Sequence, residues 1–139
     1  MYLLDTDILT HLQTGQPQVI GKFQELAEDE IATTVISIIE LMQGRFSFVL
    51  KAATGTELLR AQHWLDKTEE FLAQFMVIPL NQAACECFDQ LRAVSVYRKI
   101  GRADLLIASI ALASQATLVT RNVKHFRQIP NLKVENWMS

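Results

Sequence analysis

The chain has 139 residues, half of them hydrophobic and 20% charged, with only 5 Gly and 3 Pro. That excludes a disordered or collagen-like polymer and leaves room for one core, not two ordinary domains. A net charge of −2 argues against bulk coating of nucleic acid, and no uncharged run approaches the roughly 18 residues of a membrane span.

The first element is a short buried strand, Tyr2-Leu3-Leu4, ending at Asp5. Ile8, Leu9 and Leu12 follow at helical spacing until Gly15 and Pro17 stop the run, and a second helix spans Val19 to Ala27. Residues 31–35, β-branched and short, read as a strand, followed by a helix from Ser37 to about Leu50. A longer helix over 55–74 carries Leu58, Leu59, Trp64, Leu65 and Phe71 as its apolar stripe. Residues 75–80 are strand-like, helices follow at 81–99 and 103–115, and residues 116–120 and 132–134 supply the last strands. Short apolar strands alternating with helices imply an α/β fold, a mostly parallel central sheet covered on both faces. In such sheets ligands gather beyond the carboxyl ends of the strands.

Cys85 and Cys87, one residue apart, would point to different sides of a helix or to the same face of a strand; neither geometry makes an ordinary disulfide. With Asp5 and Asp7 interrupting the apolar start, no secretory leader is visible, so a reducing, cytoplasmic compartment is expected. Charge is uneven. Residues 1–70 hold 11 acids and 5 bases, and residues 71–139 hold 4 acids and 8 bases. Six of those bases, Arg98, Lys99, Arg102, Arg121, Lys124 and Arg127, lie between 98 and 127, a candidate footprint for a polyanion.

Three carboxylates stand at element junctions. Asp5 follows the first strand, where Asp5, Thr6 or Asp7 can cap the next helix; one cap suffices, leaving at least one polar group unexplained. Glu40 is the lone acid of an apolar stretch, and Ser37-x-x-Glu40 has capping-box spacing. Asp104 heads a very apolar helix, where its charge suits the helix dipole. Carboxylates brought together repel and raise one another's pKa unless a cation lies between them. No His/Cys set has zinc spacing, so an all-oxygen donor set calls for a hard ion, Mg²⁺ or Mn²⁺, which serves phosphoryl chemistry by activating water.

Leu4-Asp5-Thr6-Asp7-Ile8-Leu9, Ser37-x-x-Glu40-Leu41-x-x-Gly44, Asp104-Leu105-Leu106-Ile107-Ala108 and Val119-Thr120-Arg121-Asn122 with Phe126, in that order, resemble the PIN domain, and most of all its VapC-type toxin branch. The resemblance runs from residue 2 to Trp137, so residues 1–139 are expected to form a single PIN-like domain, a three-layer α/β/α sandwich. It implies a Mg²⁺- or Mn²⁺-dependent endoribonuclease, a cognate antitoxin that blocks the cleft, and usually a homodimer, with no membrane partner. Carried over by position, Asp5, Glu40 and Asp104 would be the catalytic, metal-site acids, and Thr120 and Asn122 would give polar support. Many family members have a fourth acid where this chain has His125, whose neutral imidazole could ligate Mn²⁺ or take a proton from water; Asp7 could compensate in part. The clusters Arg98–Arg102 and Arg121–Arg127 would grip RNA phosphates.

Two rivals share these residues. One is a PIN-fold RNA-binding or regulatory module weakened as a catalyst by His125. The other is a haloacid-dehalogenase-like phosphotransferase, since Asp5-x-Asp7 imitates its opening motif, although that motif expects Thr where Leu9 stands. Met42, Phe46 and Phe48 would form an apolar ridge belonging to the core, with some of it open to a dimer or antitoxin contact. Trp64 and Trp137 are expected to pack in or beside the core, and His11 and His63 are assigned no chemistry.

Overall fold

Leu3 and Leu4 are both fully buried although they are sequence neighbours, because successive strand residues face opposite sides of a sheet and both sides here are covered. The computed structural model, which describes residues 1–138, puts this strand, β1 (Tyr2–Leu4), at the centre of a five-stranded sheet. The others are β2 (Ile31–Thr34), β3 (Met76–Ile78), β4 (Thr117–Val119) and β5 (Lys133–Glu135), in the spatial order β3-β2-β1-β4-β5. Every pairing is parallel, with Leu3 in register with Ala32 on one side and Leu118 on the other.

Seven helices complete the described chain: α1 (Thr6–Gln13), α2 (Pro17–Gln24), α3 (Val35–Lys51), α4 (Gly55–Leu72), α5 (Gln82–Ala93), α6 (Arg102–Ser114) and α7 (Val123–Phe126). On one face Leu3, Ala32 and Leu118 pack against Phe88 and Leu91 of α5 and Leu105 and Ile110 of α6. On the other, Leu4, Ile31 and Val119 meet Ile8 and Leu9 of α1, Leu41 of α3, Leu72 of α4 and Trp137. The result is the expected three-layer α/β/α arrangement. Within apolar α6, Ser109 is fully buried and returns its hydroxyl proton to the Leu105 carbonyl at 2.7 Å, so its burial leaves no polar atom stranded. No helix among the described residues is long and apolar enough to cross a membrane. Both cysteines are free, as their spacing on α5 requires.

Several boundaries differ from the sequence reading. Val35 belongs to α3, because Thr34 Oγ1 accepts the Ser37 N–H at 3.2 Å and starts the helix earlier. The helix expected over 81–99 ends at Ala93: Val94 is extended, and residues 95–99 form a 3₁₀ turn in a stretch rich in β-branched residues and Ser. The second helix stops at Gln24 rather than Ala27, β3 contracts to Met76–Ile78, β5 shifts to Lys133–Glu135, and the one-turn α7 had no sequence signal. Phe46 (47% exposed) and Phe48 (59%) lie outside the core, which contradicts their expected place in it. Phe48 instead borders a groove between α3 and α4, with Ala52, Ala61 and Trp64.

Because β4 is buried from both sides, Leu118→Ala should destabilise the chain by about 2–5 kcal/mol in urea unfolding, while Leu59→Ala, at a 76% exposed position, should cost about 0.5 kcal/mol or less.

Candidate active site

The strand order reverses at β1: the chain steps outward from β1 to β2 and β3, then returns to add β4 on β1's other side. The space beyond the carboxyl ends of β1 and β4 is therefore a topological switch point, and both strands deliver polar residues there. Asp5 follows β1 directly, its N–H bonded to the Val119 carbonyl at 3.0 Å, and Thr120 follows β4. A cleft of about 400 Å³ opens at this point, lined by Asp5, Thr6, Asp7, Thr10, Glu40, Asp104, Thr120, Arg121 and Asn122.

Asp5 is both cap and site residue. One oxygen accepts the Ile8 N–H at 2.9 Å, which is the capping role, while the carboxylate also receives the Thr120 hydroxyl proton. Thr120 in turn accepts the Asn122 N–H at 3.0 Å, so its hydroxyl is oriented toward the acid. Burial pushes the Asp5 carboxyl up to about 6 despite these bonds, and the nearby charges of Asp7 and Asp104 add to the rise.

Glu40 does not make the capping box that Ser37-x-x-Glu40 suggests, since Thr34 holds the cap position. Glu40 instead accepts the Thr6 hydroxyl at 2.6 Å, across 34 residues of chain, and Thr6 lies 3.0 Å from the Ser37 hydroxyl. Asp104 sits in the first turn of α6, whose N-cap residue, Gly101, has no side chain with which to cap the helix. Its carboxyl is also raised, by burial first and then by the charge of Glu40, while His125 pulls it down. The charge of Asp104 raises Asp5 and that of Glu40 raises Asp104, as befits three acids lining one cleft.

The flanking residues divide. Asp7 lines the cleft with its carboxylate held by Arg121 at 3.4 Å, and His11 stands 3.5 Å from its other oxygen. Arg121 Nη1 also lies 3.2 Å from His11 Nε2. Asp7 thus lines the cleft with its carboxylate paired at the rim. His125 is near enough to Asp104 to lower its carboxyl, and its Nδ1 lies 3.0 Å from the Asn122 amide. Arg98 and Arg102 line a separate pocket with Arg92, and Lys99, Lys124 and Arg127 are exposed outside both. Sequence reasoning considered Thr6 only as a cap and passed over Thr10, both of which line the cleft; a hydroxyl between Asp5 and Asp7 was the available signal for Thr6, and its i+4 neighbour Thr10 follows on the same helical face.

No group of three His, Cys, Asp or Glu side chains among the described residues stands ready at ligating distances. The acids line the cleft without closing on a preformed cage. The donors are all oxygen, and the raised carboxyls of Asp5 and Asp104 mark an anion-crowded pocket that a hard cation would relieve.

The PIN domain family matches residues 2–132, in keeping with the α/β/α fold, and the chain belongs to that family. Within it, the chain is 33% identical to "Ribonuclease VapC2" of Rickettsia felis over 99% of its own length and 98% of the relative's. A crystal structure of VapBC2 from Rickettsia felis bound to a promoter DNA fragment aligns with a TM-score of 0.78 at 32% identity, covering 98% of both chains. A toxin–antitoxin complex from Klebsiella pneumoniae aligns with a TM-score of 0.74 at 25% identity, covering 100% of this chain and 99% of that one. The haloacid-dehalogenase-like alternative is thereby set aside.

The sign of the Asp5 effect is testable. An unfolded Asp titrates near 3.8 and Asp5 near 6, so the folded chain binds the extra proton between these values and loses stability as pH rises through them, by on the order of 3 kcal/mol at neutral pH. Asn caps helices as well as Asp. Metal-free Asp5→Asn should therefore melt above the wild type at pH 8, with the gap closing by pH 4; equal melting temperatures at pH 8 would contradict this account.

Proposed function

We propose that the chain is an endoribonuclease, the toxin of a type II toxin–antitoxin pair, which hydrolyses RNA phosphodiester bonds at the acidic cleft. The observation that carries this reading is the gathering of Asp5, Glu40 and Asp104, from three distant stretches of sequence, around one opening at the sheet's switch point. Kinship with a VapC ribonuclease supports it.

In this proposal Asp5, Glu40 and Asp104 would hold Mg²⁺ or Mn²⁺, directly or through waters. When bound, the cation lowers the pKa of water and offsets the charge of the phosphoryl centre. Thr120 fixes the Asp5 carboxylate through its hydroxyl, and Asn122 fixes Thr120 in turn. Thr6 orients Glu40 in the same way. Arg121, drawn over the rim by Asp7, is the cation nearest the cleft and would meet an RNA phosphate there. His125, turned to Asn122, leaves the cleft one carboxylate poorer than a four-acid site.

The partner antitoxin would cover the groove between α3 and α4, about 630 Å³, whose surface is mostly apolar with Lys51, Glu57, Arg60 and His63 also bordering it. That groove brings no set of acids together, so it suits docking rather than hydrolysis. A second copy would meet the edge at β3, where Met76, Val77 and Leu80 are exposed. The setting would be the cytoplasm.

The test is cleavage of single-stranded RNA by antitoxin-free protein. Activity should appear with Mn²⁺ or Mg²⁺, vanish with chelator, and fall by about 100-fold or more in Asp104→Asn. Thr120→Ala should lose about 10–100-fold, as a residue that orients a ligand rather than being one. Metal-stimulated binding of RNA without cleavage would instead favour the weakened-module alternative.

A further inference from the structure

A second pocket, about 290 Å³, lies around the first turn of α6 and is lined by Phe88, Arg92, Arg98, Ile100, Arg102 and Leu105. Its three arginines come from three different elements: Arg92 from the last turn of α5, Arg98 from the 3₁₀ turn at Ser95–Lys99, and Arg102 from the start of α6. Phe88 organises two of them, with the Arg92 guanidinium 5.5 Å and the Arg102 guanidinium 5.2 Å from its ring centroid. Arg98 is held by residues on either side of it: Tyr97 donates its hydroxyl proton to the Gln128 carbonyl at 3.0 Å, and Ile100 is buried.

Three like charges therefore share one concavity, and none makes an ion pair with a carboxylate among the described residues. Contact with the Phe88 ring accounts for Arg92 and Arg102, but no such contact holds Arg98 among the described residues, and bringing in a third guanidinium raises the mutual repulsion. An anion removes that cost, and a guanidinium offers a planar fork of donors matched to phosphate. The volume is enough for a phosphate and several waters, each water taking about 30 Å³.

We propose that the Arg92–Arg98–Arg102 pocket is a phosphate subsite for the RNA backbone, holding a phosphate that flanks the bond cleaved in the acidic cleft. This rests on the ribonuclease reading. What favours RNA over an acidic protein segment is the shared helical turn: Arg102 and Leu105 line this pocket while Asp104 lines the cleft, so the two openings lie on either side of the same turn of α6. The cleft itself is crowded with carboxylates and repels a polyanion, so a strand crossing it needs its neighbouring phosphates held outside. The pocket supplies that grip without bringing cations among the acids. Phe88 is buried beneath the guanidiniums and does not serve as a base-stacking platform.

The experiment is binding of a labelled single-stranded RNA oligonucleotide to the full chain in chelator, read by fluorescence anisotropy across a salt series. The double variant Arg92→Gln/Arg98→Gln is compared with a charge-matched control, Lys22→Gln/Lys133→Gln. The double variant should bind about tenfold more weakly whatever the RNA sequence, and its log–log salt slope should shrink by about 0.7 for one lost phosphate contact. The control should keep the wild-type affinity and slope. Unchanged binding in the double variant, with wild type still cleaving RNA in Mn²⁺, overturns the subsite and leaves the ribonuclease reading standing. Failure of wild type either to bind or to cleave RNA overturns both. Lost affinity for poly-glutamate with RNA binding intact would assign the pocket to an acidic protein segment and overturn the phosphate assignment. Should the double variant fail to fold, NMR of wild type titrated with inorganic phosphate decides: the arginine Nε–H signals of Arg92, Arg98 and Arg102 shift first, or the proposal falls.

Discussion

Negative charge held in a half-buried place is the constraint from which the other features of this molecule follow. Asp5 is almost fully enclosed at the end of the central strand, and both its burial and its acidic neighbours resist ionisation. A fold selected for stability alone would put Asn there, keep the cap on α1 and lose nothing. Instead the chain surrounds the acid with hydroxyls. Thr120 donates to Asp5 and Thr6 to Glu40, so each carboxylate is aimed without being neutralised. Such spending of stability at one site is the usual mark of function.

The sheet makes this placement inexpensive elsewhere. With β1 central and both faces covered, Leu3 and Leu4 anchor opposite cores, and the position following them has no freedom to leave the strand end. β4 lies beside β1 in matching register, so Thr120 arrives next to Asp5 from a segment more than a hundred residues away. α6 then adds Asp104 from the layer that packs on Leu3, and α3 adds Glu40 from the opposite layer. The cleft is thus assembled from both layers and the sheet between them. Charge is segregated on the same plan: acids within the cleft, Arg121 at its rim, and the cluster around Phe88 behind α6.

Much of the layered fold was legible because its signals are local. Three-residue apolar runs ending in polar groups mark buried parallel strands, and the apolar run from Leu105 marks a helix enclosed by its neighbours. The acids were legible for the same reason, each standing out against apolar surroundings at an element junction. The contacts that orient them were not. The Thr6–Glu40 bond and the Arg121–Asp7 pair join residues 34 and 114 positions apart, and nothing in spacing forecasts them. Two hydroxyls three residues apart, Thr34 and Ser37, competed for one helix start, and only the strand's exact end decided between them. Phe46 and Phe48 look like core by composition; their exposure follows from how α3 runs past the sheet to pair with α4, a matter of tertiary packing. His125 departs from the four-acid pattern in sequence, but its turn toward Asn122 is visible only in three dimensions.

The central claim is that the acids of the cleft become compatible with one another through a shared divalent cation. A crystal grown with Mn²⁺ and measured at the manganese absorption edge tests this most directly. The account predicts an anomalous peak in the cleft with oxygens of Asp5 and Asp104, and Glu40 directly or through water, around it at about 2.0–2.6 Å from the ion. A peak only at other surfaces, with the three carboxylates pointing apart in protein that still cleaves RNA, would contradict it.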